Sequence, residues 1–189
     1  MRVPFRELTG ALPYAAADPS TKASAAEAEV MSLFEEFRSP LMRYALSFGI
    51  SVHDAEEVVQ EVFLSLFRHL QAHGSRRNLR GWIFTVTHHL ALKQRRENQR
   101  MRDKVEYVDS AELHRDTSPN PEQLVHIAQR QSRLLAVVNA LPETDQRCLQ
   151  LRAEGLRYRE ISAVLGISLG SVSISLTRSI ARLTRAERS

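Results

Sequence analysis

Cysteine occurs once in the 189 residues, at Cys148, so no internal disulfide can staple this chain. Flanked by Arg147 and Leu149-Gln150-Leu151, that residue reads as core filler. Glycine is sparse as well, seven residues, and nowhere does it gather into a phosphate-cradling loop. No continuous apolar run is long enough to span a bilayer, and the N-terminus lacks the central apolar segment of a secretory signal. The expected location is therefore cytoplasmic, with no membrane insertion. His88 and His89 are neighbours about 100° apart on a helix, and neither has an i+4 His, Cys or acid in a clear ligand role, so we expect no metal and no cofactor. An enzyme is poorly supported, since no nucleophile has a credible base. What is present suffices for a core: 43% of residues are hydrophobic. The formal charge of +4 allows a polyanionic partner without demanding one.

The C-terminal part carries the sharpest local pattern. Ile161, Val164 and Leu165 mark a short amphipathic helix, Gly166 supplies the backbone freedom for a turn, and Ser168 is suited to cap a second helix. Along that helix Val172, Leu176, Ile180 and Leu183 form one apolar side. Gly170, Ser171, Ile174, Thr177 and Arg178 lie opposite. Short polar side chains, one cation and one exposed apolar residue suit a helix laid in a DNA major groove, where Ile174 could meet a thymine methyl. Arg178 could read a base or hold a phosphate. Any helical hairpin could show the same stripe.

Charge is unevenly placed. Between Arg76 and Lys104 the basic residues number nine against the acids Glu97 and Asp103. The preceding helix, opening near Asp54, is the reverse, with Asp54, Glu56, Glu57 and Glu61. Its Ala55, Val59, Val62, Phe63, Leu66 and Leu70 form a core stripe, and its other face shows Asp54, Glu57, Glu61, Leu64 and Arg68. An apolar Leu64 inside an acidic stripe looks like an anchor for a protein partner, although an ordinary solvated face would look similar. The basic loop from Ala72 to Asn78 leads into a helix from Leu79 with a buried stripe of Leu79, Trp82, Ile83, Val86 and Leu90. Its outward side would present Phe84, Thr85, His88, Arg95 and Arg96. Aromatics among cations suit unpaired bases, while Trp82 equally fits a core position.

Four parts follow along the chain: a weakly ordered extension over 1–26, a helical unit over 27–102, a linker over 103–121 with Asp116-Thr117-Ser118-Pro119-Asn120-Pro121, and a second helical unit over 122–189. In the first unit the helix begins near Ala26 and is interrupted at Pro40. In the second, Leu124, Ile127, Leu134, Leu135 and Val138 are apolar positions, Leu141-Pro142-Glu143 breaks and restarts the helix, and Gly155 closes the next. The fold class is all-α: two small helical domains joined by a flexible linker, the second ending in a helix-turn-helix.

This order of parts resembles the bacterial extracytoplasmic-function sigma factors of RNA polymerase. The resemblance rests on Asp54-Ala55-Glu56-Glu57-Val58-Val59-Gln60-Glu61-Val62-Phe63, Leu79-Arg80-Gly81-Trp82-Ile83-Phe84, the linker, Leu141-Pro142-Glu143 and the terminal helix-turn-helix, and covers roughly residues 30 to 185. It implies a subunit without catalysis of its own that brings core polymerase to promoters. The unit over 27–102 corresponds to region 2, where Asp54, Glu57, Gln60, Glu61 and Leu64 would dock on the clamp helices of the polymerase β′ subunit. Arg76, Arg77, Asn78, Arg80, Trp82, Thr85, His88, Arg95 and Arg96 would recognise and open the minus-ten element, capturing a flipped base in the loop. The unit over 122–189 corresponds to region 4, where Ser171, Ile174, Ser175, Thr177 and Arg178 would meet the minus-thirty-five element. Partners implied are core polymerase through β′ and β, promoter DNA and, if the factor has one, an anti-sigma protein.

Departures from the family pattern are His88-His89 where Arg-Asn is common, Lys93 where a carboxylate is common, and Ser173 and Ser175 where Lys or Arg is common. Two lost contacts at about 1 to 3 kcal/mol each would lower intrinsic DNA affinity. The competing reading is a stand-alone helix-turn-helix regulator, which leaves Trp82 and the basic loop without a role.

Overall fold

The computed structural model describes residues 19–104 and 131–188, which are helical apart from short turns, with no strand among the described residues. Asp103 and Lys104, the first residues of the expected linker, are still helical at the end of α3; the rest of that linker and most of the N-terminal extension lie outside the described residues, as do Leu124 and Ile127. The first unit comprises α1 (Pro19–Leu46), α2 (Val52–Gln71) and α3 (Leu79–Lys104). The second comprises a helix over 131–139 (α4), then α5 (Glu143–Ala153), α6 (Tyr158–Leu165) and α7 (Leu169–Arg188).

Helix α1 starts earlier than Ala26 and runs through Pro40 without a break, contrary to the pattern reading. Proline inside a helix costs about 3 kcal/mol because it removes a hydrogen bond and crowds the preceding turn. Beyond Pro40, however, Leu41, Tyr44 and Ala45 are all but fully buried, and at about 1.5–3 kcal/mol for a large apolar side chain their burial offsets that cost. Helix α2 opens on a capping box: Ser51 Oγ accepts from the Asp54 amide at 3.1 Å while the Asp54 carboxylate accepts from the Ser51 amide at 3.3 Å. It buries Ala55, Val58, Val59, Val62, Phe63, Leu66 and Leu70, the expected stripe with Val58 added.

Phe84 of α3, read as outward, is fully buried with its ring against Phe37 and Tyr44. The reason is tertiary. Helix α3 is covered by α1 and α2 on one side and by α6 of the second unit on another, so its middle has little solvent face. Ile83, Thr87 and Ala91 are buried with it.

In the second unit α5 ends at Gly155, which adopts φ 83°, and the Leu156 amide reaches back to the Leu151 carbonyl at 3.0 Å. Gly166, at φ 65°, turns the chain between α6 and α7, which cross at 107°. Ser168 Oγ caps α7 by accepting from the Ser171 amide at 3.0 Å. Cys148 is buried, as read.

The buried side of α7 differs from the apolar pattern. It consists of Val172, Ser175, Leu176 and Ser179, while Ile180 is 51% exposed. Small serines admit α5 closely, and Ser179 Oγ satisfies itself by donating to the Ser175 carbonyl at 2.8 Å. The two units do not stand apart: buried residues of both form one continuous core, with α6 packed on α3 and the end of α1 against α5.

Candidate polymerase and nucleic-acid interfaces

On α2 the polymerase-facing candidates divide. Glu57, Gln60 and Leu64 are exposed, Leu64 by 50%, and Glu61 is half-buried between Ser65 and Arg68. Glu57 pairs with His53 at 3.3 Å across one helical turn. Asp54 is spoken for by the fold. Besides the capping box it accepts from Gln94 at 3.1 Å and Asn98 at 2.8 Å, tying α2 to α3. Burial alone would raise its pKa, but bonds from Asn98, Ser51 and Gln94 outweigh that and hold it below the ordinary carboxylate value. Beside this face a groove of about 200 Å³ runs between α1 and α2, lined by Phe34, Arg38, Met42, Glu56, Val59 and Gln60.

Within the basic candidates, the loop leaves α2 through a turn in which His73 takes φ 57°, the Gly74 amide bonds the His69 carbonyl at 2.8 Å and the His73 amide bonds the Leu70 carbonyl at 3.2 Å. Arg76, Arg77 and Asn78 are exposed, and Arg76 pairs with Glu29 at 2.9 Å. Asn78 also builds the fold, its Oδ1 accepting from the Gly81 amide at 3.2 Å at the start of α3. Thr85 Oγ1 donates to the Gly81 carbonyl at 2.8 Å. Trp82 is half-buried, its indole stacked on the His69 imidazole at 4.9 Å between centroids. Arg96 is exposed.

Three members of the set face the second unit instead of open solvent. Arg80 donates through Nη2 to the Glu154 carbonyl, and Arg95 Nη1 pairs with Glu143 at 2.6 Å. His88 is half-buried beneath Tyr44, its Nδ1 hydrogen-bonded to the Tyr44 hydroxyl at 2.8 Å. Burial first, then neighbouring positive charge, lowers the His88 pKa to about 4, so the ring is neutral near pH 7 and adds no cation to this face. The Arg95 hydrogen bond, more than any other contact, holds Glu143 below its usual range.

Further seam contacts escaped the sequence reading. Arg43 grips Glu154 with two bonds, at 2.9 and 2.6 Å. Arg147 of α5 is 5% exposed and enters the first unit, donating to the Ser47 carbonyl at 3.0 Å and Ser47 Oγ at 2.9 Å with its guanidinium 3.5 Å from the Phe48 ring centroid. The one available signal was a cation inside the apolar segment around Cys148. Between the units His88, Leu92, Arg95, Arg96, Glu143 and Arg147 border a cleft of about 290 Å³.

On α7, Ser171, Ile174 and Thr177 are exposed, Ile174 by 65%. Ser175 corrects the outward assignment: it is 5% exposed because it points at α5, toward Asp145 and Cys148. Arg178 is exposed but held, bonding Asp145 through Nε at 2.8 Å and Nη2 at 2.7 Å. Asp145 is 1% exposed, and the Arg178 hydrogen bond, ahead of every other cause, depresses its pKa. Among the described residues, no group of His, Cys, Asp and Glu could hold a metal ion.

Residues 33–101 match the sigma-70 region 2 family model and residues 131–183 the sigma-70 region 4 model. ECF RNA polymerase sigma factor SigL of Mycobacterium tuberculosis is 31% identical over 158 residues, covering 82% of this chain and 86% of that protein. ECF RNA polymerase sigma factor SigE of Mycolicibacterium smegmatis is 33% identical over 138 residues, 71% of this chain but only 53% of that protein. Two solved structures share the fold at TM-score 0.58: CnrH in complex with the cytosolic domain of CnrY, at 22% identity over 88% of this chain and 92% of that one, and the Bartonella quintana sigma factor RpoE in complex with the anti-sigma factor NepR, at 18% over 83% and 97%. The chain belongs to the ECF sigma factors of RNA polymerase, which direct transcription initiation. A stand-alone helix-turn-helix regulator is not favoured, because the region 2 match spans the first unit.

Proposed function

We propose that this sigma factor divides its labour by the sign of its surfaces. The outward face of α2, with Glu57, Gln60, Glu61 and Leu64, docks on the β′ clamp helices of core polymerase, and the second unit adds contacts to β. Asp54 shapes that face from below. The loop 72–78 and α3 take the minus-ten strand: Arg76, Arg77 and Arg96 hold phosphates, and the His69-Trp82 pair borders the loop that receives a flipped base. Ser171, Ile174 and Thr177 enter the minus-thirty-five major groove. Arg178 positions α7 through Asp145 and reads no base in this state. The protein acts in the cytoplasm without catalysis of its own, with core polymerase and promoter DNA as partners and an anti-sigma protein as the regulator that the family membership suggests.

The single observation that carries this reading is the reversal of charge between the outward faces of adjacent helices, acidic with an exposed Leu64 on α2 and cationic on the loop and α3. One protein partner and one polyanion fit that pair of faces. Because Arg80 and Arg95 are held by Glu154 and Glu143, strand capture through those two guanidiniums requires the units to part. Run-off transcription with purified core polymerase on genomic fragments tests the proposal. Promoter-specific transcripts that depend on the added protein support it, and their absence refutes it.

A further inference from the structure

His69 lies at the last turn of α2, outside the basic loop, and its ring makes contacts that fix that loop. One face stacks on the Trp82 indole, 4.9 Å between centroids at an interplanar angle of 27°. Nε2 lies 3.0 Å from the Ser75 carbonyl, and since a carbonyl only accepts, the ring carries its proton on Nε2 and donates. The ring also lies so close to Gly74 that a Cβ there would collide with all three of its nearest atoms. Meanwhile the His69 carbonyl accepts the Gly74 amide at 2.8 Å, so one residue binds the loop from both its backbone and its side chain.

Those contacts leave the loop little choice of path. Gly74 must be glycine for the ring to fit, Ser75 is tethered through its carbonyl, and Arg77 N–H donates to Ser75 Oγ at 3.2 Å. Beyond Ser75 the loop shows Arg76, Arg77 and Asn78 to solvent. Asn78, at φ 54°, is fixed at the other end by its cap on α3. A loop clamped at both ends and braced in its middle has a set shape, as discrimination among flipped bases requires: a preorganised pocket loses less entropy on binding and rejects mismatched edges more strongly.

We infer that His69 is a positioning residue for minus-ten base selectivity, acting through Trp82, Gly74 and Ser75 without touching the base itself. The inference rests on the reading of loop 72–78 as the base-receiving element and specifies what sets its selectivity. His69→Phe keeps the stack and loses the bond to Ser75. His69→Gln keeps a donor and loses the ring. His69→Ala loses both.

The test uses the full chain with core polymerase and promoter templates whose minus-ten region is pre-opened, carrying each of the four bases in turn at every non-template position. Affinity for core polymerase and thermal midpoint are measured alongside. We expect His69→Ala to flatten the preference at one or two positions by about tenfold, with core affinity within about twofold, while His69→Phe and His69→Gln each recover part of the preference. Should His69→Ala prove too unstable to assay, the same loss read as an intermediate flattening in His69→Phe or His69→Gln decides the matter. A wild-type base profile in all the variants that fold overturns the inference and leaves the reading of the loop standing. A uniform loss on every base, in step with core affinity, overturns it too, since that marks a purely structural role. A wild-type protein indifferent to every base in the opened strand overturns the loop reading together with the inference.

Discussion

Replacing Arg147 should separate the two units more effectively than any other single substitution. Its guanidinium is buried, sits 3.5 Å from the Phe48 centroid and donates to both oxygens of Ser47 from across the seam. A desolvated cation over an aromatic face contributes about 2 kcal/mol. The Ser47 carbonyl left without this donor in Arg147→Ala costs about 1 kcal/mol more, toward the low end for a neutral acceptor. Against these stands the recovered hydration of a buried charge whose Nε already lacks a partner. For Arg147→Ala we expect a net loss of about 2 to 3 kcal/mol. Arg147→Met fills the same space over Phe48 without a charge to bury and should lose about 1 kcal/mol or less. Urea unfolding of the full chain measures both, and a fluorophore pair on α1 and α5 reports whether the units have parted. The reasoning fails if Arg147→Ala lies within about 0.5 kcal/mol of wild type, or if Met is as damaging as Ala.

Charge reversal by Glu57→Lys with Glu61→Lys should weaken core polymerase binding at least about tenfold in titration, yet shift folding stability by no more than about 1 kcal/mol, because Glu57 is exposed and half-buried Glu61 loses only a surface ion pair with Arg68. Arg178→Ala strands the buried Asp145 carboxylate, so the thermal midpoint should fall by several degrees and Asp145→Asn in the same chain should restore much of it; a stable Arg178→Ala with altered upstream base preference would mark Arg178 as a base reader after all. His88, with its pKa lowered from 6.5 to about 4, stays neutral in the folded state while the unfolded chain protonates, so stability should fall as pH drops between those values. After allowance for solvent screening the loss is about 2 kcal/mol, read from urea midpoints, and His88→Gln should abolish it. At still lower pH the depressed carboxyls of Asp145 and Glu143 add a second loss: their contribution is present above the unfolded value of about 3.9 to 4.3 and disappears as pH falls through their folded values, which Asp145→Asn should reduce.

Apart from the start of α1 and its passage through Pro40, the sequence alone determined where the described helices run and the order of the parts, because capping, glycine turns and apolar periodicity are local. Ser168 caps as its position suggested, Gly155 and Gly166 turn the chain where a left-handed residue was needed, and the α2 stripe is buried nearly as read. Charge reversal between α2 and α3 was legible for the same reason. What it could not reveal was which side of a helix meets a neighbour distant in the chain. Periodicity put Phe84 outside and Ile180 inside; the packing of α3 between α1 and α6 and of α7 on α5 reversed both. Cations look alike in a sequence, yet tertiary structure separated Arg76, Arg77 and Arg96 on the surface from Arg80 and Arg95 at the seam, Arg178 on Asp145 and Arg147 over Phe48. A guanidinium's role depends on the partner within its reach, and those partners lie as many as 111 residues away in the chain, at distances only the fold fixes.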